Sequence, residues 1–148
     1  MDMNSQGHQI LLVEDDVDDR FIMHHSFSEL KWAEKVKMFS AVEDLLSYLH
    51  NLPDESYYPA LIVLDFNMPG MNGAEALRYL KNNRELQHIP VVVYSTSMKP
   101  VLSEALKIGG ALDCFEKGMG AGDYLELART FKRIAEGDVI KEPGFGVI

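Results

Sequence analysis

A single cysteine, Cys114, stands in 148 residues, so the chain can form neither an internal disulfide nor a cysteine-built zinc cage. Basic residues are scarce, 14 lysines and arginines against 23 acids, for a net charge of −9. That balance argues against nonspecific adhesion to nucleic acid or to an anionic membrane, since both need basic surface. No apolar run approaches the ~20 residues of a membrane-spanning helix. The polar stretch 1–9 has no apolar region of the kind a secretory signal carries. Internal repeats and low-complexity segments are also missing. What remains is the composition of one globular domain, 47% hydrophobic and 25% charged, with enough chain to bury a core. The expectation is a cytoplasmic protein with no nucleic-acid or membrane partner.

Short apolar runs alternate with amphipathic stretches, which is the pattern of βαβ units. Strands are expected at 10–13, 35–39, 60–64, 91–94 and 112–115. The first, third and fourth are continuous apolar runs, as for parallel strands covered on both faces. Lys35-Val36-Lys37-Met38-Phe39 begins by alternating, as an edge strand does. The first helix should start around Asp16 and Asp19, acids that suit the positive end of the helix dipole, with Phe21, Ile22, Phe27 and Leu30 as its apolar side. Ser40 and Glu43 have capping-box spacing for a second helix, which carries Leu45, Leu46 and Leu49. A third helix over 73–83 turns Ala76, Leu77 and Leu80 inward. A fourth over 99–108 tolerates Pro100 in its first turn and ends at Gly109-Gly110. The fifth, over 123–135, presents Leu125, Ala128, Phe131 and Ile134. Strict alternation of five strands and five helices predicts an α/β fold of the flavodoxin-like kind, a doubly wound five-stranded parallel sheet in the order 2-1-3-4-5. The domain should span 9–136, with short tails at 1–8 and 137–148. The second tail holds Val139, Ile140, Phe145, Val147 and Ile148, apolar enough to pack on the body or on a partner.

In such a sheet ligands bind outside the carboxyl ends of the strands, at the switch point between the first and third. Four strand ends here carry chemistry. Glu14-Asp15-Asp16 follows the first, Asp65 the third, Ser95 the fourth and Lys117 the fifth. Asp65 also opens a tight turn, Asp65-Phe66-Asn67-Met68-Pro69-Gly70-Met71-Asn72-Gly73. A carboxylate so placed can attack phosphorus or ligate a metal. Each motif alone has a plainer reading: a solvated helix start, a helix cap in Ser95-Thr96-Ser97, a lysine in a loop. Asp16, Asp18 and Asp19 keep that reading, as first-turn charges on a helix. The five histidines, His8, His24, His25, His50 and His88, form no ligand pattern.

Taken together and in this order, the four motifs resemble the receiver domain of two-component response regulators, over roughly residues 9–135. With no appended output region, the chain is similar to the stand-alone type. The resemblance implies a phosphorylation-dependent signalling switch. Asp65 would accept a phosphoryl group from a histidine kinase or a histidine phosphotransfer protein. Mg²⁺ would be held by Asp15, Asp65 and the backbone carbonyl of Asn67, with Glu14 acting through a water. Lys117 would pair with Asp65 and then with the phosphoryl group, and Ser95, picked over Thr96 by counting from Pro90, would donate its hydroxyl. Met68, Pro69, Met71 and Gly73 would hold the turn. The resemblance further implies a phosphoacceptor protein rather than an enzyme, one that supports its own phosphotransfer and dephosphorylation. Its kinase would dock near the first helix, and its output surface would be the fourth helix, fifth strand and fifth helix, a face that leaves a homodimer open.

Two positions depart from the family pattern. Gly118 follows Lys117 where a proline in a cis peptide is usual, and non-proline cis bonds cost about 2.5–4 kcal/mol. Cys114 occupies the usual position of a switching Tyr or Phe, while Phe115 should face the other side of the strand. Cys114 reads as a small buried or half-buried residue rather than a redox sensor. These departures leave a phosphorylation-independent binding scaffold as the alternative. A phosphohydrolase of the haloacid-dehalogenase type fits less well, because it needs an acid two residues after the nucleophile and Asn67 stands there. A flavodoxin-like cofactor binder fits poorly too, since the acidic loop after the first strand would repel a phosphate.

Overall fold

The computed structural model describes residues 7–138. Strands β1 (Ile10–Val13), β2 (Val36–Phe39), β3 (Leu61–Asp65), β4 (Val91–Ser95) and β5 (Asp113–Glu116) alternate with helices α1 (Val17–Glu29), α2 (Val42–His50), α3 (Gly73–Asn82), α4 (Pro100–Ile108) and α5 (Ala121–Ala135). All pairings are parallel and the order is β2-β1-β3-β4-β5, the doubly wound topology that the alternation predicts. Successive strand residues point to opposite faces, so the aliphatic runs feed two cores. Leu11, Val13, Ile62, Leu64 and Val93 join α2, α3 and α4 on one face. Ile10, Leu12, Val63, Val92 and Tyr94 join α1 and α5 on the other. Strands β1, β3 and β4 are buried along their whole length, whereas β2 and β5 are partly exposed edges.

Several local expectations shift. Strand β5 runs one residue later than its apolar run, because Leu112 still belongs to the turn after Gly109-Gly110 and is 42% exposed. Ser40 lies one position too early to cap α2, whose N-cap is Ala41 with no side-chain bond. The capping box sits instead at α3, where Asn72 and Glu75 satisfy each other's backbone N–H groups. Helix α1 buries Met23, Ser26 and Phe27 and leaves Phe21 69% exposed, so Phe21 is not part of its inward side. Helix α5 starts at Ala121 and adds Tyr124 and Leu127 to the buried face, with Leu125 half-buried. His8, assigned to the first tail, bonds the Tyr48 hydroxyl at 3.3 Å. The apolar residues of the second tail lie outside the described residues. No described helix is long and apolar enough to cross a membrane.

Candidate functional site

The carboxyl ends of β1, β3, β4 and β5 converge on one acidic cleft of about 230 Å³, lined by Glu14, Asp15, Asp16, Asp19, Asp65, Asn67, Thr96 and Lys117. A larger groove of about 700 Å³ lies between α2 and α3, beside Glu43, Met71 and Tyr79. Size does not mark the site. The smaller cleft is where buried charges converge.

Asp65 ends β3 and is 2% exposed. Its backbone is pressed by the start of α3: a Cβ on Gly73 would lie 2.7 Å from the Asp65 carbonyl oxygen, so only glycine fits there. Its Oδ1 accepts from the Asn67 N–H at 3.2 Å. Glu14, just past β1, is fully buried and extends the ladder through its N–H to Phe39. Arg20 donates to its carbonyl at 2.8 Å, and the Asp16 N–H to its Oε2 at 3.1 Å. Asp16 in turn caps α1 by accepting from the Asp19 N–H, the first-turn role expected of it.

Lys117, past β5, joins the two carboxylates. Its Nζ lies 2.9 Å from Glu14 Oε1, 3.0 Å from Asp65 Oδ2 and 3.1 Å from Asp19 Oδ2, with the side chain 7% exposed. The Tyr94 ring lies beneath it, 4.9 Å from the ammonium to the ring centre, a cation–π distance. The Tyr94 hydroxyl donates to Glu14 Oε1 at 2.6 Å. Ser95, 1% exposed, accepts from Asn67 Nδ2 at 3.2 Å and from the Ser97 N–H at 3.4 Å. Thr96 is exposed at the rim.

Burial raises the Asp65 carboxyl to about 7, and the neighbouring Glu14 adds to the rise while Lys117 opposes it. Burial alone would lower Lys117, but Glu14 and Asp65 outweigh it and hold the ammonium above its ordinary value. Tyr94 is pushed well up by burial and by Glu14. The site therefore holds a fixed cation among carboxylates. Oxygens of Glu14, Asp15 and Asp65 can lie within 4.8 Å of one another, a donor set of hard oxygens suited to a divalent cation.

Comparison with known proteins accords with this geometry. A match to the response regulator receiver domain family covers residues 10–129. The chain belongs to that family. The polar-differentiation response regulator DivK of Brucella ovis is 27% identical over 75 residues, 51% of this chain; the chain spans 61% of DivK's length. The phosphorylated cyanobacterial phytochrome response regulator RcpA superposes with a TM-score of 0.74 over 88% of this chain and 94% of its own, at 23% identity. The Mn²⁺-bound form of the response regulator Rcp1 does so with a TM-score of 0.68 over 84% and 91%, at 27% identity.

Within this receiver, Gly118 and Cys114 have local explanations. All peptide bonds among the described residues are trans, including the one after Lys117. A side chain at 118 would collide with the Asp123 side chain, whose Oδ2 accepts from the Met119 N–H at 3.1 Å. Cys114 is half-buried on the α4 side, 3.8 Å from the Ser103 carbonyl, and burial raises its thiol away from the reactive thiolate. Phe115 faces the other way and packs edge-on to Phe131 at 5.5 Å. The receiver also contains site residues outside the four motifs: Tyr94, Tyr124 and Asp19, the last expected as a plain first-turn charge but bonded to Lys117 and Tyr124. Tyr94 was findable, since a phenol at the end of a buried strand needs a hydrogen-bond partner. Asp19 and Tyr124 carried no such signal.

Proposed function

We propose that this chain is a phosphorylation-dependent switch in which Asp65 accepts a phosphoryl group from a phosphohistidine on a histidine kinase or a phosphotransfer protein. The observation that carries this reading is the Lys117 ammonium held 3.0 Å from the Asp65 carboxylate at a buried strand end. An Asp65 oxygen attacks phosphorus in line, the P–N bond of the donor breaks, and its electron pair stays on the imidazole nitrogen. Such a transfer asks the protein for positioning and charge neutralisation more than for covalent chemistry. Lys117, whose side chain is only 7% exposed, turns a donor from Asp65 to the transferred oxygens. The Ser95 oxygen accepts from Asn67, which leaves its own O–H to donate to the phosphoryl group.

Asp15, Asp65 and the Asn67 carbonyl would hold Mg²⁺, with Glu14 through a water; the hard-oxygen set and the Mn²⁺-bound form of Rcp1 support a divalent cation there. Bound, it would neutralise the charge that attacker and phosphoryl group bring together. Receiver domains are signalling modules rather than enzymes, and self-dephosphorylation belongs to this proposal. So do the domain limits 9–136, a cytoplasmic location and association through the α4–β5–α5 face. Intact mass after incubation with acetyl phosphate and Mg²⁺ tests the reading. One added phosphoryl group is expected in the wild type and none in Asp65→Ala or in EDTA. Labelling retained in Asp65→Ala would overturn the assignment.

A further inference from the structure

An ammonium group has three N–H donors and spins freely about its last C–N bond. In Lys117 all three donors are taken, by Glu14, Asp65 and Asp19. If two acceptors are rigid, the third N–H has only one direction left. Glu14 is rigid because it is fully buried and holds the Tyr94 hydroxyl. Asp19 is the other rigid acceptor. It sits in the first turn of α1, with 24% of its side chain exposed, and its Oδ1 accepts from the Tyr124 hydroxyl on α5 at 3.1 Å while its Oδ2 takes Lys117. Tyr124 is 5% exposed and lies on the face of α5 that packs against α1.

The segment that carries the lysine offers little restraint of its own. Gly118 and Gly120 lie between Lys117 and the start of α5, and Met119 is 99% exposed. Its backbone is held at the Lys117 N–H, bonded to Ser95, at the Met119 N–H, bonded to Asp123, and at the Gly120 carbonyl, which accepts from the Asp123 and Tyr124 N–H groups. None of these contacts aims the long side chain.

We infer that Asp19 and Tyr124 are positioning residues for Lys117: Tyr124 fixes the Asp19 carboxylate, and Asp19 fixes the ammonium so that its remaining donor points at Asp65. This deepens the phosphoacceptor reading and rests on it for its role in transfer, but the anchoring can be measured without phosphate. The full chain in EDTA is acylated briefly with an amine-reactive succinimidyl ester, and labelling at Lys117 is read by peptide mass spectrometry. Lys81, bonded to the Gln87 and Ile89 carbonyls away from the site, is the internal reference.

In Asp19→Asn, Lys117 labelling relative to Lys81 should rise about tenfold, the scale of one charge-assisted hydrogen bond. Tyr124→Phe, which keeps the buried ring, should raise it less, and Asp19→Glu should restore protection. Mg²⁺-dependent phosphoryl incorporation from acetyl phosphate should slow in Asp19→Asn and recover in Asp19→Glu. Unchanged Lys117 labelling in both Asp19→Asn and Tyr124→Phe would overturn the inference. A wild type that takes up no phosphoryl group, with Lys117 exposed by Asp19→Asn, would uphold the anchoring and reject the phosphoacceptor reading instead.

Discussion

Tyr94 follows three valines in β4 and is fully buried, so its hydroxyl has to be satisfied by the protein. It does so by donating to Glu14, a carboxylate that is itself fully buried. Burying a carboxylate is costly unless donors surround it, so Tyr94, Lys117 and the Asp16 N–H together make Glu14 tolerable at the base of the cleft. Tyr94→Phe keeps the ring and removes one donor. It should destabilise the protein by about 1–3 kcal/mol, read as a lower urea midpoint; an unchanged midpoint would show that Lys117 alone satisfies that oxygen. Gly73→Ala should cost at least as much, because its Cβ would meet backbone on two sides, the Asp65 carbonyl at 2.7 Å and the Phe66 α-carbon at 2.8 Å. The motif residues Asp65, Ser95 and Lys117 were legible because each ends an apolar run. Asp19 was not. A first-turn acid looks the same in sequence whether it faces water or a lysine 98 positions away.

At the scale of the element, helices and strands defined by burial are legible in the sequence, whereas boundaries defined by local bonds are not. The runs of β1, β3 and β4 could be read directly, since strands covered on both faces must be apolar throughout. Caps were harder, because the same residue types cap a helix or merely precede it. Ser40 and Glu43 have the right spacing but the wrong register, while Asn72 and Glu75 close a true capping box that seats α3 behind Asp65. Asn72→Ala should therefore cost about 1 kcal/mol, and Ser40→Ala close to nothing, in the same thermal or chemical unfolding assay. Equal losses would mean that the α3 cap adds no net stability. The misjudged face of α1 has a related cause. Phe21 follows the apolar pattern, but the helix starts at Val17 and its rotation is set by packing on α5, which leaves Phe21 outside.

For the whole molecule, the consequence of gathering acids at one end of the sheet is a pH-dependent stability. A carboxyl raised from 3.8 to about 7 binds its proton more tightly folded than unfolded. Its stabilising contribution is complete below the unfolded value and is lost as pH rises through the folded value. In EDTA, the thermal midpoint should fall between about pH 4 and 7 through this group, and Asp65→Asn should flatten that fall and raise the midpoint at neutral pH. Adding Mg²⁺ at neutral pH should raise the wild-type midpoint, since a ligand that binds only the folded state stabilises it. A wild-type midpoint that rises from pH 4 to 7 in EDTA, or that ignores Mg²⁺, would contradict this account.

The sequence by itself determined the layered α/β architecture and the candidate acceptor, because alternation of apolar period and the residue at each strand end are local properties of the chain. It also pointed to the departures at Cys114 and Gly118. Only the tertiary structure decided that Lys117 is shared among Glu14, Asp65 and Asp19, that Tyr94 holds Glu14, and that Tyr124 ties α5 to α1 beneath the site. Those contacts join residues far apart in the chain, and their geometry depends on helix rotation and strand register, which are set by packing between elements rather than by any neighbouring residues.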